Sequence, residues 1–227
     1  MAGKMVVFPS NGHTCRGYLA ASRTGSGPGV IVLQEWWGLV DHIKEVVDRF
    51  AAEGFTALAP DLYHGESAKS PDQAQKLFMA LNIDKTEKDL HGAIDFLLAQ
   101  DSCSSSKVGT VGFCMGGQLS LYAACANPSK VGACVDYYGV HPNVKPNYAT
   151  LQAPVLGFFG EKDPHVTPAV ARALEADLKN AGKRVEIHIY GGADHAFFNA
   201  TRAEVYSAAD AADSWKRMLA LYRANLI

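Results

Sequence analysis

Two hydrophobic periods alternate along this chain, and that alternation limits its fold more than any other feature. Short runs rich in β-branched and aromatic residues lie at 30–34 (VIVLQ), 56–60 (TALAP), 107–113 (KVGTVGF), 132–138 (GACVDYY), 153–159 (APVLGFF) and 184–190 (RVEIHIY). Near-continuous apolarity over so few residues suits strands covered on both faces. Between them, apolar residues recur three to four apart and predict helices over 41–52, 71–81, 84–99, 115–126, 167–181 and 207–224; Trp215, Met218, Leu219 and Tyr222 mark the last. Strands alternating with helices give the α/β class: a doubly wound, mostly parallel sheet flanked by helices, with ligands at the carboxyl ends of the strands. The runs MVVF (5–8) and RGYLA (16–20), on either side of an Asn-Gly turn, read as extra antiparallel edge strands. SRTGSGPG (22–29) and SCSSS (102–106) read as turn-rich connections. A chain of 227 residues is expected to form a single α/β domain, 1–227.

Charge and composition narrow the partners. The 21 basic and 23 acidic residues give a net charge of −2, and the Lys and Arg residues are scattered among acidic ones. That pattern argues against nucleic acid. The opening MAGKMVVFPS is too short in apolar length for a signal peptide, and no segment approaches the ~18 apolar residues of a membrane span. The chain therefore reads as cytoplasmic, a monomer acting on a small molecule, with no membrane partner. Its five cysteines are odd in number and lack C-x-x-C spacing, which suggests neither a disulfide framework nor a zinc site.

One cysteine has a special setting. Gly112-Phe113-Cys114-Met115-Gly116-Gly117 directly follows the strand KVGTV and directly precedes the amphipathic stretch QLSLYAACA. A nucleophile elbow needs this strand, tight turn and helix, with small residues two before and two after the nucleophile. The amide of Met115, in the first helical turn, can point toward a developing oxyanion. Taken alone, the motif also fits a close-packed turn with an inert cysteine. Two further loops break the tie: Asp163 follows the strand PVLGFF, and His195 follows RVEIHIY. Nucleophile, acid, histidine is the order imposed by the α/β-hydrolase fold, and all three lie beyond strand carboxyl ends. Asp194 and His165 are rivals for the acid and base roles, in less suitable surroundings. A thiol must lose its proton to attack, and Glu35, beside Trp36 and Trp37 after VIVLQ, is a second group able to control that proton. Trp36 occupies the loop expected to supply a second backbone oxyanion donor.

These segments resemble the dienelactone hydrolases, the carboxymethylenebutenolidases of chlorinated-aromatic degradation. The resemblance covers nearly the whole chain. Its most specific pieces are Glu35-Trp36-Trp37-Gly38, Ala59-Pro60-Asp61-Leu62-Tyr63, Gly112-Phe113-Cys114-Met115-Gly116-Gly117, Asp136-Tyr137-Tyr138-Gly139, Gly160-Glu161-Lys162-Asp163 and His195-Ala196-Phe197. It implies a triad of Cys114, Asp163 and His195, a Glu35 that pairs with the resting thiol and helps generate the thiolate, and a substrate lying near Trp37 and Tyr138. It also implies hydrolysis of a lactone or small carboxylic ester without metal or organic cofactor. The pattern departs at the family's two carboxylate-binding arginines: none lies between Tyr63 and Asn82, and Asn199 stands four residues after His195. Arg202 is the nearest replacement; otherwise Trp36, Trp37, Phe78 and Tyr138 are expected to wall a pocket for neutral or aromatic substrates. A broad-specificity short-chain carboxylesterase would use the same residues. A redox-sensing thiol would need a resolving cysteine, and Cys125 lies about three helical turns from Cys114. A silent binding protein would have no need for Glu35, Asp163 and His195 together.

Overall fold

The computed structural model describes residues 2–10 and 12–227. Its elements run β1 (Lys4–Ser10), β2 (His13–Ala20), β3 (Gly27–Leu33), α1 (Asp41–Ala52), β4 (Thr56–Pro60), α2 (Pro71–Ala80) and α3 (Ile83–Leu98). They continue with β5 (Cys103–Phe113), α4 (Met115–Ala126), β6 (Val131–Tyr137), β7 (Val155–Gly160), α5 (Pro168–Asn180), β8 (Val185–Tyr190) and α6 (Ala208–Leu226). All six predicted helices form: α1 and α4 match to the residue, and no end of the other four shifts by more than two.

The eight strands make one sheet in the order β1-β2-β4-β3-β5-β6-β7-β8. From β4 to β8 the strands are parallel, and β2 joins β4 antiparallel. This is the α/β-hydrolase architecture that the sequence predicts. The period-2 geometry of a strand explains why β3 is buried along its whole length. Val30 and Val32 enter one apolar layer with Phe50 of α1 and Trp215 of α6, while Ile31 and Leu33 enter the opposite layer with Ile94 of α3 and Leu119 of α4.

Two readings of the sequence need correction. The segment 102–106 is no simple connection, because β5 begins at Cys103 and pairs with the Gly27 end of β3. Its serines hide the strand: Ser105 Oγ accepts the Gly29 N–H at 3.0 Å, so a side chain stands in where the ladder register shifts. The N-terminal pair is antiparallel as predicted, but only β1 is an edge, since β2 lies between β1 and β4. The tip of the predicted turn, Asn11, lies outside the described residues.

Chain direction reverses its spread at β3: the crossover through α1 leads to β4 on one side, and β5 lies on the other. Such a switch point opens a crevice at the carboxyl ends of the strands. Glu35 follows β3 and Cys114 follows β5 at that crevice, with Tyr138, Asp163 and His195 after β6, β7 and β8 along the same edge.

Candidate active site

Cys114 joins β5 to α4 at φ 55° and ψ −122°, a conformation costing a non-glycine residue about 1–3 kcal/mol. The turn is held from several sides. Cys114 N–H donates to Tyr137 O at 3.0 Å, and its carbonyl accepts from Gly117 at 2.9 Å and Val140 at 3.2 Å. Its flanking glycines are obligatory, because a Cβ at Gly112 would stand 1.8 Å from Gly116 O and one at Gly116 would stand 2.4 Å from Leu33 O. The bend leaves the cysteine half-buried at the end of α4. There the Met115 N–H, in the first helical turn, has no intrahelical acceptor.

His195 and Asp163 meet over this turn. His195 Nδ1 donates to Asp163 Oδ2 at 2.7 Å, and Asp163 Oδ1 accepts the backbone N–H groups of His165 at 2.7 Å and Val166 at 2.9 Å. The carboxylate is thus buried but fully satisfied. Burial alone would push its pKa up; the His195 hydrogen bond and the two amides reverse this and leave it below the usual range. Burial also opposes charge on His195, but Asp163 and the Cys114 sulfur outweigh it and raise the imidazole to about 10. With Nδ1 committed to Asp163, the other ring edge is left for Cys114. Of the two rivals, His165 serves Asp163 through its backbone and only approaches His195 edge-on, with ring centroids 5.2 Å apart. Asp194 leaves the His195 ring to Asp163.

Glu35 is buried, 2% exposed. Its Oε2 accepts from Asn199 Nδ2 at 2.9 Å, and Asn199 Oδ1 is fixed in turn by Thr201 N–H at 3.0 Å and Oγ1 at 2.6 Å. Burial raises the Glu35 pKa, countered by His195, Asn199 and Arg202. Asn199 was visible in the sequence only as a departure from an arginine; its amide is what now holds the carboxylate. Tyr63 was not foreseen here: its hydroxyl donates to the Trp36 carbonyl at 3.3 Å and approaches Met115 Sδ at 3.4 Å, joining the two loops expected to carry oxyanion donors.

The residues expected around a substrate divide. Tyr138 sits at φ 43°, fully buried, with its ring centroid 4.9 Å from that of His195. Among the described residues its hydroxyl has no hydrogen-bond partner. Burial, then Glu35 and Cys114, push its pKa well up, so the group stays a neutral donor. Trp37 meets Trp36 edge-on at 5.2 Å. Phe78, on α2, packs tilted against His141 with ring centroids 4.3 Å apart, and His141 Nε2 hydrogen-bonds the Phe78 carbonyl. Arg202 is held at the surface by Glu204, Nε to Oε1 at 2.9 Å.

Comparison with known proteins identifies the family. The dienelactone hydrolase family profile matches residues 15–226. The chain belongs to the dienelactone hydrolase family. It is 39% identical to the protein named usf of Aquifex pyrophilus, over 99% of each chain. It is 33% identical, again over 99% of each, to a provisionally named carboxymethylenebutenolidase of Aquifex aeolicus. The crystal structure of a provisionally named dienelactone hydrolase from Klebsiella pneumoniae superposes with a TM-score of 0.87 at 30% identity, covering 97% of this chain and 98% of that one. As a dienelactone hydrolase family member the chain is an ester or lactone hydrolase. Among the described residues, no helix is long and apolar enough to cross a membrane.

Proposed function

We propose that the chain opens a lactone or cleaves a small carboxylic ester through Cys114, with His195 as base and Asp163 as the residue orienting it. The observation carrying this reading is the His195–Asp163 hydrogen bond of 2.7 Å above a cysteine held in a left-handed elbow. With its pKa at about 10, His195 already holds the thiol's proton as an imidazolium, and the Cys114 thiolate Sγ attacks the carbonyl carbon. The amides of Met115 and Trp36 receive the oxyanion, which needs fixed donors in a dry site. Collapse breaks the carbon–oxygen bond, His195 returns its proton to the leaving alkoxide, and a thioester remains. A lactone's alkoxide stays tethered in the acyl chain. Water, deprotonated by His195, then attacks the thioester, releasing the acid and restoring the thiol. Asp163, acceptor-only once ionised, selects the His195 tautomer and supports the imidazolium. Glu35 is a second acceptor able to bias the thiol proton, with Asn199 setting its position. Trp37 and Tyr138 would contact the substrate.

The broad carboxylesterase reading shares this machinery, and one observation favours it: Arg202, the nearest candidate for a substrate carboxylate, is already engaged by Glu204. Steady-state hydrolysis of a dienelactone beside a neutral p-nitrophenyl ester decides between the two. A kcat/KM preference for the acidic lactone supports the first, a preference for the neutral ester supports the second, and turnover of neither overturns both.

A further inference from the structure

A second group of the same three residue types lies away from the Cys114 elbow. Cys15 comes from β2, Asp89 from α3, and His64 from the turn after β4. Cys15 Sγ donates to Asp89 Oδ1 at 3.0 Å, and His64 Nε2 stands 3.0 Å from Asp89 Oδ2. One donor atom from each residue lies within 4.8 Å of the others. We propose that Cys15, His64 and Asp89 form a binding site for one zinc-like divalent cation, with water completing the shell.

Zinc bonds of about 2.0–2.3 Å place tetrahedral donors roughly 3.3–3.8 Å apart, so the three groups already stand near the required spacing. The donor set is selective. A thiolate and an imidazole favour zinc and its neighbours over magnesium or calcium, which prefer oxygen. Charge balance points the same way. Cys15 is fully buried and Asp89 is 2% exposed. Among the described residues, the only ion-pair partner of Asp89 is His64. A buried carboxylate is costly without a cation. As donor to Asp89 Oδ1, the Cys15 thiol carries its proton while no metal is bound. On binding, the S–H bond breaks, the proton goes to solvent, and the sulfur–metal bond forms; thiolate and carboxylate then neutralise the dication.

The supporting groups are in place. Ser10 Oγ donates to Asp89 Oδ1 at 2.9 Å and fixes the carboxylate. Asp61 accepts the N–H groups of Tyr63 at 3.2 Å and Gly65 at 2.7 Å, shaping the turn in which His64 adopts φ 53°. His64 is the exposed member, its side chain 48% accessible, and offers the route of entry. The ion would tie that turn to β2 and α3, and with it Tyr63, whose hydroxyl reaches the Trp36 loop.

The test is metal binding by the full chain in a Cys114→Ser background, which removes the competing elbow thiol. The site predicts one Zn2+ per chain in competition with a chromophoric chelator, and a thiolate-to-metal charge-transfer band with Co2+. His64→Gln, at a half-exposed position that should not disturb folding, should weaken Zn2+ binding more than about 100-fold. Cys15→Ser should remove the Co2+ band. No stoichiometric binding by the Cys114→Ser chain, or binding unchanged by His64→Gln, would overturn the site. None of these readouts depends on hydrolysis, so the site can fail while the proposed mechanism stands, and the reverse.

Discussion

The molecule carries two cysteine–histidine–aspartate groups, and the order of their hydrogen bonds separates them. At the elbow the imidazole stands in the middle, bonded to Asp163 on one side and facing the Cys114 sulfur on the other. At β2 the carboxylate stands in the middle, taking the Cys15 thiol on one oxygen and His64 on the other. An imidazole next to sulfur can accept its proton and return it; a carboxylate next to a buried thiol only makes the thiol harder to ionise. Exposure sharpens the contrast, since Cys114 is half-buried on a strained turn and Cys15 is fully enclosed. The same residue types are therefore proposed to make a nucleophile in one place and a cation cage in the other.

The largest effect that would break this contrast comes from deleting each sulfur. Cys114→Ala should lower kcat/KM by at least about 10⁴ while leaving the circular-dichroism spectrum unchanged, in line with losses at other covalent nucleophiles. Cys15→Ser, measured per folded molecule, should stay within about threefold of wild type, because the Cys15 side chain bonds Asp89 and not a residue of the elbow. Asp163→Asn comes next. It keeps the shape but removes the acceptor that fixes His195, and a kcat loss of about 10²–10⁴ is expected. An unchanged rate would move the orienting role to Asp194.

A smaller, spectroscopic effect sharpens the comparison. NMR titration of His195 should give a pKa near 10 in the wild type and a lower one in Cys114→Ala, because the sulfur is among the groups that raise it. The sign for stability follows. With the folded pKa above the ordinary 6.5, the imidazolium's stabilising contacts are complete below pH 6.5 and fade as pH rises through about 10. Denaturant unfolding of Cys114→Ala should therefore show a weaker alkaline decline than wild type; an identical pH dependence would deny the Cys114–His195 contact.

The smallest expected effect concerns Arg202. Because Glu204 holds its guanidinium, Arg202→Ala should change KM for a neutral ester by less than about threefold. A much larger rise in KM for an acidic lactone would identify Arg202 as the carboxylate anchor.

The two groups also differ in how far the sequence displays them. The elbow is legible because strand, glycine-flanked cysteine and helix are contiguous, and because the parallel topology forces residues after successive strands to one edge. Asp163 and His195 follow from that edge. Cys15, His64 and Asp89 lie on a strand, a turn and a helix with no shared local spacing, and only the packing of α3 against the β1–β2 end brings them together. Asn199 was readable as a departure from an arginine, but its bond to Glu35 spans 164 residues. The early start of β5 was hidden for a local reason: Cys103 to Ser106 carry backbone pairing without an apolar face.

The claim that Cys114 is the nucleophile is most directly tested by timed iodoacetamide treatment, with peptide mapping and activity followed on the same samples. The account predicts that Cys114 is alkylated first among the five cysteines, that activity falls in step with its modification, and that bound substrate slows both. Full activity in protein completely alkylated at Cys114, or inactivation that tracks Cys15, Cys103, Cys125 or Cys134 instead, would contradict it.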